Sequence, residues 1–165
     1  MGKECSFDVV TVTDIQEVDN AFQQTKKELS QRYDLKGTGS DISLDKGAGT
    51  ITITAPGDFV ARQIIDIMQS KLFKRGIELA AVKWANPLNA SGGKVRVIGN
   101  VVNGIEKDLA STISKDIRGH NPKVKVQIEG DKLRVISASR DTLQDVIAFL
   151  KSKDYGQPLQ YVNYR

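Results

Sequence analysis

Apolar and hydroxyl side chains alternate strictly over Thr50-Ile51-Thr52-Ile53-Thr54, which sends the isoleucines to one face of a strand and the threonines to the other. Upstream, Ile42 and Leu44 alternate with polar residues, and Asp45-Lys46-Gly47-Ala48-Gly49 supplies a turn between the two strands. Pro56-Gly57 then stops the second strand. Asp58 is placed to cap a helix with Val60, Ile64, Ile67, Met68 and Leu72 on its apolar side. The pattern predicts strand, turn, strand, helix.

The same pattern returns from Val124 to Lys153. Val124, Val126 and Ile128 alternate, Gly130-Asp131 makes a two-residue turn, and Leu133 and Val135 resume the alternation. Asp141 opens a helix carrying Leu143, Val146, Ile147 and Leu150, 83 residues after Asp58. The chain therefore reads as a duplication.

Further elements complete each copy. Ser6–Thr11 is a strand, and Thr13 or Asp14 begins a capping box for a helix using Ile15, Val18, Phe22, Leu29 and Tyr33. Leu79–Ala85 is a fourth strand, and Asn86–Gly93 alone has linker composition. Lys94–Val102 is the next strand, followed by a helix capped at Asn103 with Ile105, Leu109, Ile113 and Ile117 in a stripe ended by Gly119. Leu159–Tyr164 is the last strand. Each half is β-α-β-β-α-β: an α+β tandem of ferredoxin-like domains, expected over 1–87 and 94–165 with 86–93 as linker. Such a fold covers one sheet face with helices and leaves the other free.

Composition narrows the class. The 165 residues are 39% hydrophobic and 27% charged, ordinary for a globular protein. No apolar run reaches the length of a membrane helix, and the start lacks a signal-peptide core, so the expected location is the cytoplasm. A single cysteine excludes an internal disulfide. Met1-Gly2 with Ser6 matches the N-myristoylation pattern, but Phe7-Asp8-Val9-Val10 reads as a strand start and that reading is preferred. The formal charge of +4 is uneven, with 11 Lys/Arg against 12 Asp/Glu in residues 1–85 and 13 against 8 in residues 86–165.

The chemistry on offer is non-catalytic. His120 and Cys5 are the sole residues of their kinds, too few for a zinc site, and no carboxylate pair stands out, so neither an enzyme nor a cofactor is expected. Ser91-Gly92-Gly93-Lys94 lacks the P-loop spacing and precedes a strand. His120 reads as a polar loop residue.

The positive signal is a set of cations. Lys125, Lys132 and Arg134 fall on the non-core side of the second hairpin, and Arg140 lies near the start of the last helix. They read as an anion surface or as solvated strand positions and edge guards. Lys71, Lys74 and Arg75 form a rival patch, or complement a helix dipole. The third strands lack the aromatics of an RNA-recognition motif, so Trp84 is the candidate stacking platform, with a core role as its alternative. Tyr161 and Tyr164 fall on opposite faces by the period of two, so only one can join the basic surface.

The stretches SFDVVTVTDIQEVDNA, KLFKRGIE, and QIEGDKLRV with SRDTLQDVIAFLKSKDYGQPLQYVNYR resemble the YajQ family of bacterial proteins over nearly the whole chain. The resemblance implies a tandem of ferredoxin-like, RNP-like domains whose first strands are exchanged, so that Ser6–Thr11 pairs into the second sheet and Lys94–Val102 into the first. It further implies a non-enzymatic binder of nucleotides (GTP, ATP or cyclic di-GMP) or RNA, with some members regulating transcription through a partner regulator. The alternative function is a protein-protein module using the uncovered sheet faces.

Overall fold

The computed structural model describes residues 3–165; Gly2, the acceptor in the lipidation pattern, lies outside them. The elements run β1 (Cys5–Val10), α1 (Ile15–Gln31), β2 (Asp41–Asp45), β3 (Thr50–Ala55), α2 (Asp58–Lys74), β4 (Val82–Trp84), β5 (Leu88–Asn89), β6 (Val95–Val101), α3 (Lys107–His120), β7 (Lys125–Glu129), β8 (Lys132–Ser137), α4 (Arg140–Lys151) and β9 (Gln160–Val162). They form two antiparallel sheets in the orders β7-β8-β1-β9 and β2-β3-β6-β4, with β5 also pairing with β6. The two β-α-β-β-α-β units expected from the alternation are present.

The exchange of first strands is explicit in the register. Phe7 lies opposite Val135, and Val97 lies opposite Ile53. The compact units are consequently residues 13–102, the inserted unit, and residues 3–12 with 103–165, the split unit. Residues 86–93 lie inside the inserted unit, where β5 pairs Leu88 with Arg96 and Asn89 with Val95.

Regrouping the chain this way removes the charge asymmetry. Each unit holds 12 Lys/Arg and 10 Asp/Glu, because Lys94 and Arg96 fall in the inserted unit and Lys3, Glu4 and Asp8 in the split one. The excess of positive charge in residues 86–165 is a feature of the linear chain alone.

In each unit the helices cover one sheet face. Ile42, Ile51, Ile53 and Val97 pack under Val18, Phe22, Ile64, Met68 and Leu72 in the inserted unit. Phe7, Val9, Leu133 and Val135 pack under Ile113, Ile117, Leu143, Val146 and Leu150 in the split unit. Burying each such side chain contributes about 1.5–3 kcal/mol. Tyr33, expected on the apolar side of α1, follows the helix end and is 98% exposed.

Caps fall close to their expected places, and that of α1 uses an expected side chain while the others do not. Asp14 Oδ1 accepts from the amides of Gln16 and Glu17. Gly57, not Asp58, is the N-cap of α2, and Ser139 Oγ, not Asp141, accepts from the Thr142 amide to cap α4. The α3 helix begins at Lys107, after the Asn103 expected to cap it, and extends past Gly119 to His120. His120 is therefore helical rather than a loop residue. It stacks on Phe149 with ring centroids 4.2 Å apart, and its Nε2 lies 2.7 Å from Asp145 Oδ2, which ties α3 to α4.

Two glycines are fixed by close approach. A Cβ on Gly104 would meet Asp131 at 2.7 Å, and its φ of 83° already disfavours a side chain. On Gly99 a Cβ would lie 2.7 Å from the Trp84 ring, so Gly99→Ala forces the indole to move. We expect that substitution to cost roughly 1–3 kcal/mol, read from urea unfolding.

Candidate nucleotide site

The residues opposite the core on the split unit's sheet follow from its register. Gln127, Arg134, Asp8 and Val162 form one row across the four strands. Asp8 is one residue that sequence reasoning missed. It is 1% exposed, and three donors converge on its carboxylate: Asn163 Nδ2 at 2.8 Å, Arg134 Nε at 3.1 Å and Lys132 Nζ at 3.2 Å. Burial alone pushes its pKa up, but the hydrogen bonds from Asn163, Arg134 and Lys132 outweigh it and hold the carboxyl below its ordinary value. An acid inside the run Phe7-Asp8-Val9-Val10, destined for a strand beside two cations, was the available signal.

Lys132 and Arg134 are brought together as expected, with Asp8 between them as their internal counter-ion. Arg134 Nη1 also reaches Glu129 Oε1 at 3.5 Å. Reversing both charges would leave a buried carboxylate facing two more acids. Lys125 projects from the edge strand, 73% exposed and 3.8 Å from Glu4. Arg140 belongs to a different place, the start of α4 on the helix-covered side. The four cations do not form one surface.

Trp84 is packed with the core cluster of the inserted unit, in register with Gly99 and on the side of Ile51. It therefore does not stand on the open face as a stacking platform. The rival patch is also dispersed. Lys71 pairs with Glu28 at 3.0 Å, and Arg75 pairs with Glu17 at 3.5 Å. Lys71 and Lys74 line a polar cleft of about 320 Å³ with Gln24, Lys27, Glu28 and Gln31.

A bulge changes what the last strand presents. Val162 lies opposite Asp8, yet Arg165 exchanges both backbone hydrogen bonds with Ser6 (3.2 and 3.0 Å), so three residues on one strand span two on the other. Asn163 takes up the extra residue at a φ of 57°. The period of two fails here, and both Tyr161 and Tyr164 lie against Phe7, with centroids 6.0 and 6.2 Å away. Neither tyrosine joins the opposite face.

The bulge instead builds a cavity of about 300 Å³ lined by Cys5, Ser6, Arg140, Leu143, Gln144, Tyr164 and Arg165. Arg140 and Gln144 are one helical turn apart on α4, Leu143 supplies an apolar floor from the core, and Tyr164 is 60% exposed. Two arginines, a glutamine and a tyrosine thus line one space. Guanidinium groups suit phosphate, and an exposed ring suits stacking on a planar base. Gln144 and Arg165 were not singled out in the sequence. The spacing of Gln144 from Arg140 was visible there, but the turn that brings Tyr164 and Arg165 to them was not.

Comparison with known proteins bears on the same chain. The family described as nucleotide-binding protein YajQ-like matches residues 5–165. A protein of Geotalea uraniireducens named nucleotide-binding protein is 47% identical over 160 residues, covering 97% of this chain and 98% of its own. Proteins of the same name from Nocardia farcinica and Alkaliphilus oremlandii are 47% and 41% identical, covering 98% and 100% of this chain and 99% and 100% of their own. With the tandem fold and its exchanged strands in place, these matches establish that the chain belongs to the YajQ-like family.

Proposed function

We propose that this chain is a non-enzymatic nucleotide-binding protein, with the nucleotide in the cavity at the start of α4. The phosphate lies toward Arg140 and Arg165, the base stacks on Tyr164, and Gln144 faces the base or sugar. The observation that carries this reading is the joining of two arginines and an exposed tyrosine in the lining of one space of about 300 Å³. That volume is at the lower end for ligand pockets and suits a single nucleotide unit. Among the candidates GTP, ATP, cyclic di-GMP and RNA, a dinucleotide or polymer would place one unit there. The names of the relatives support the same class of ligand. A regulatory role through a transcription regulator would follow from nucleotide occupancy, and the expected location remains the cytoplasm. No helix among the described residues is long and apolar enough to cross a membrane.

The protein-protein reading would draw support from an apolar open face. On the inserted unit that face carries Thr50, Thr52, Thr54, Lys83, Arg96 and Asn100, with Ile98 as the apolar exception between them. A polar face of this kind favours the nucleotide reading.

Calorimetric titration with GTP, ATP, cyclic di-GMP and a short RNA, at two salt concentrations, tests the proposal. Arg140→Glu is expected to weaken binding about 30-fold or more, since a charge-assisted hydrogen bond is lost and repulsion is added. Tyr164→Ala is expected to cost about 1–3 kcal/mol of stacking. Unchanged affinity in both variants overturns the site. A steep loss of affinity with salt would point instead to a polyanion spread over several cations.

A further inference from the structure

An edge strand leaves backbone groups unpaired, and the sequence of the edge decides whether another chain can join it. The edges are β7 and β9 in the split unit, and β2, β4 and the two-residue β5 in the inserted unit. Strands β4 and β9 have three residues each, while β2 and β7 have five. The two longer edges differ in one respect. If two copies of β2 paired antiparallel about Ser43, Asp41 of each copy would face Asp45 of the other, and like charges would oppose the pairing. Strand β7 reads Lys125-Val126-Gln127-Ile128-Glu129. Paired antiparallel about Gln127, it sets Lys125 opposite Glu129 of the second copy, Val126 opposite Ile128, and Gln127 opposite itself.

We propose that β7 is a homodimerisation edge, along which two copies join antiparallel about a twofold axis through Gln127. The backbone agrees with this register. The β7–β8 hairpin closes with a two-residue turn, so Glu129 and Lys132 form a hydrogen-bonded pair and the amides and carbonyls of Val126 and Ile128 face away from β8. Those are the groups that a second β7 in this register meets. In keeping with that direction, the Val126 carbonyl accepts a long 3.4 Å hydrogen bond from Arg118, a side chain free to swing off. Ile128 is 43% exposed at this edge although it alternates with the buried Val126. In the dimer it packs against Val126 of the other copy. Lys125 trades a 3.8 Å contact with Glu4 for the opposing Glu129. The contact is isologous, so it closes at two copies rather than propagating.

The test is sedimentation velocity on the full chain across a protein concentration series at low salt, with melting temperatures as the check on folding. The wild type should pass from monomer to dimer with concentration. Lys125→Glu and Ile128→Lys should each stay folded and weaken the dimer about tenfold or more. The double variant Lys125→Glu/Glu129→Lys, which restores opposite charges across the axis, should dimerise again. A wild type that stays monomeric throughout overturns the proposal. So does a dimer indifferent to Lys125→Glu and Ile128→Lys, or a folded charge-swapped variant that remains monomeric. This inference does not depend on the cavity at Arg140, and an Arg140→Glu chain should dimerise as the wild type does.

Discussion

Replacing Asp8 with alanine is expected to lower the stability of the split unit by roughly 2–4 kcal/mol, because two cations then lose their buried counter-ion and keep only the more distant Glu129. Lys132 and Arg134 are 32% and 24% exposed, so water recovers part of their solvation and the loss stays in the lower range for a broken buried pair. The melting temperature should fall by about 5–15 °C. Asp8→Asn separates charge from shape, since an amide fills the same space without neutralising the cations. The sign of the pH dependence follows from the direction of the shift. The folded carboxyl titrates below its ordinary value of 3.8, so its contribution is fully present above the unfolded value and is lost as pH falls through the lower folded value. The stability gap between wild type and Asp8→Asn, measured by urea unfolding, should be wide at pH 7 and begin to close only as the pH falls below about 3.8. A gap that persists unchanged into acid would mean that the carboxylate charge is not what holds this strand.

Cutting the chain produces the second large effect, and the exchange of first strands decides where it can be cut. Residues 13–102 are contiguous and contain α1, α2 and every strand of their own sheet. They should fold alone, with dispersed amide resonances and a cooperative melt. Residues 1–87 lack β6, the central partner of both β3 and β4, and should not fold. Residues 94–165 lack β1, which lies between β8 and β9, and take β6 along without its sheet. They should also fail. The duplicated pattern invites a cut near the linker. That cut removes a central strand from each sheet, and its cost far exceeds the marginal stability of a small unit. A folded 94–165 fragment and an unfolded 13–102 fragment would reverse the assignment of strands to sheets.

Most of the architecture was legible because alternation and helical stripes are local signals. Ile51 and Ile53, or Leu133 and Val135, announce their buried face without reference to the rest of the chain. The candidate site was less legible because it depends on pairings between distant residues. Arg140 could be picked out from its position at a helix start, but Tyr164 reaches it only through a bulge at Asn163 that breaks the period of two. Lys132 and Arg134 looked free because their counter-ion, Asp8, sits more than 120 residues away in sequence. The charge split between halves misled for the same reason, since strand exchange redistributes Glu4, Asp8, Lys94 and Arg96. Trp84 followed the alternation of β4 into the core, where Gly99 makes room for it.

The most direct measurement of where a nucleotide binds is a titration followed by two-dimensional nitrogen-15 NMR of the full chain, including the arginine side-chain signals. The account predicts that ATP or GTP shifts the resonances of Cys5, Ser6, Gln144, Tyr164 and the side chains of Arg140 and Arg165, and leaves those of Lys132, Arg134 and the α1–α2 cleft in place. Shifts centred on Gln127, Lys132 and Arg134, or on Lys27, Lys71 and Lys74, with the α4 cavity silent, would contradict it.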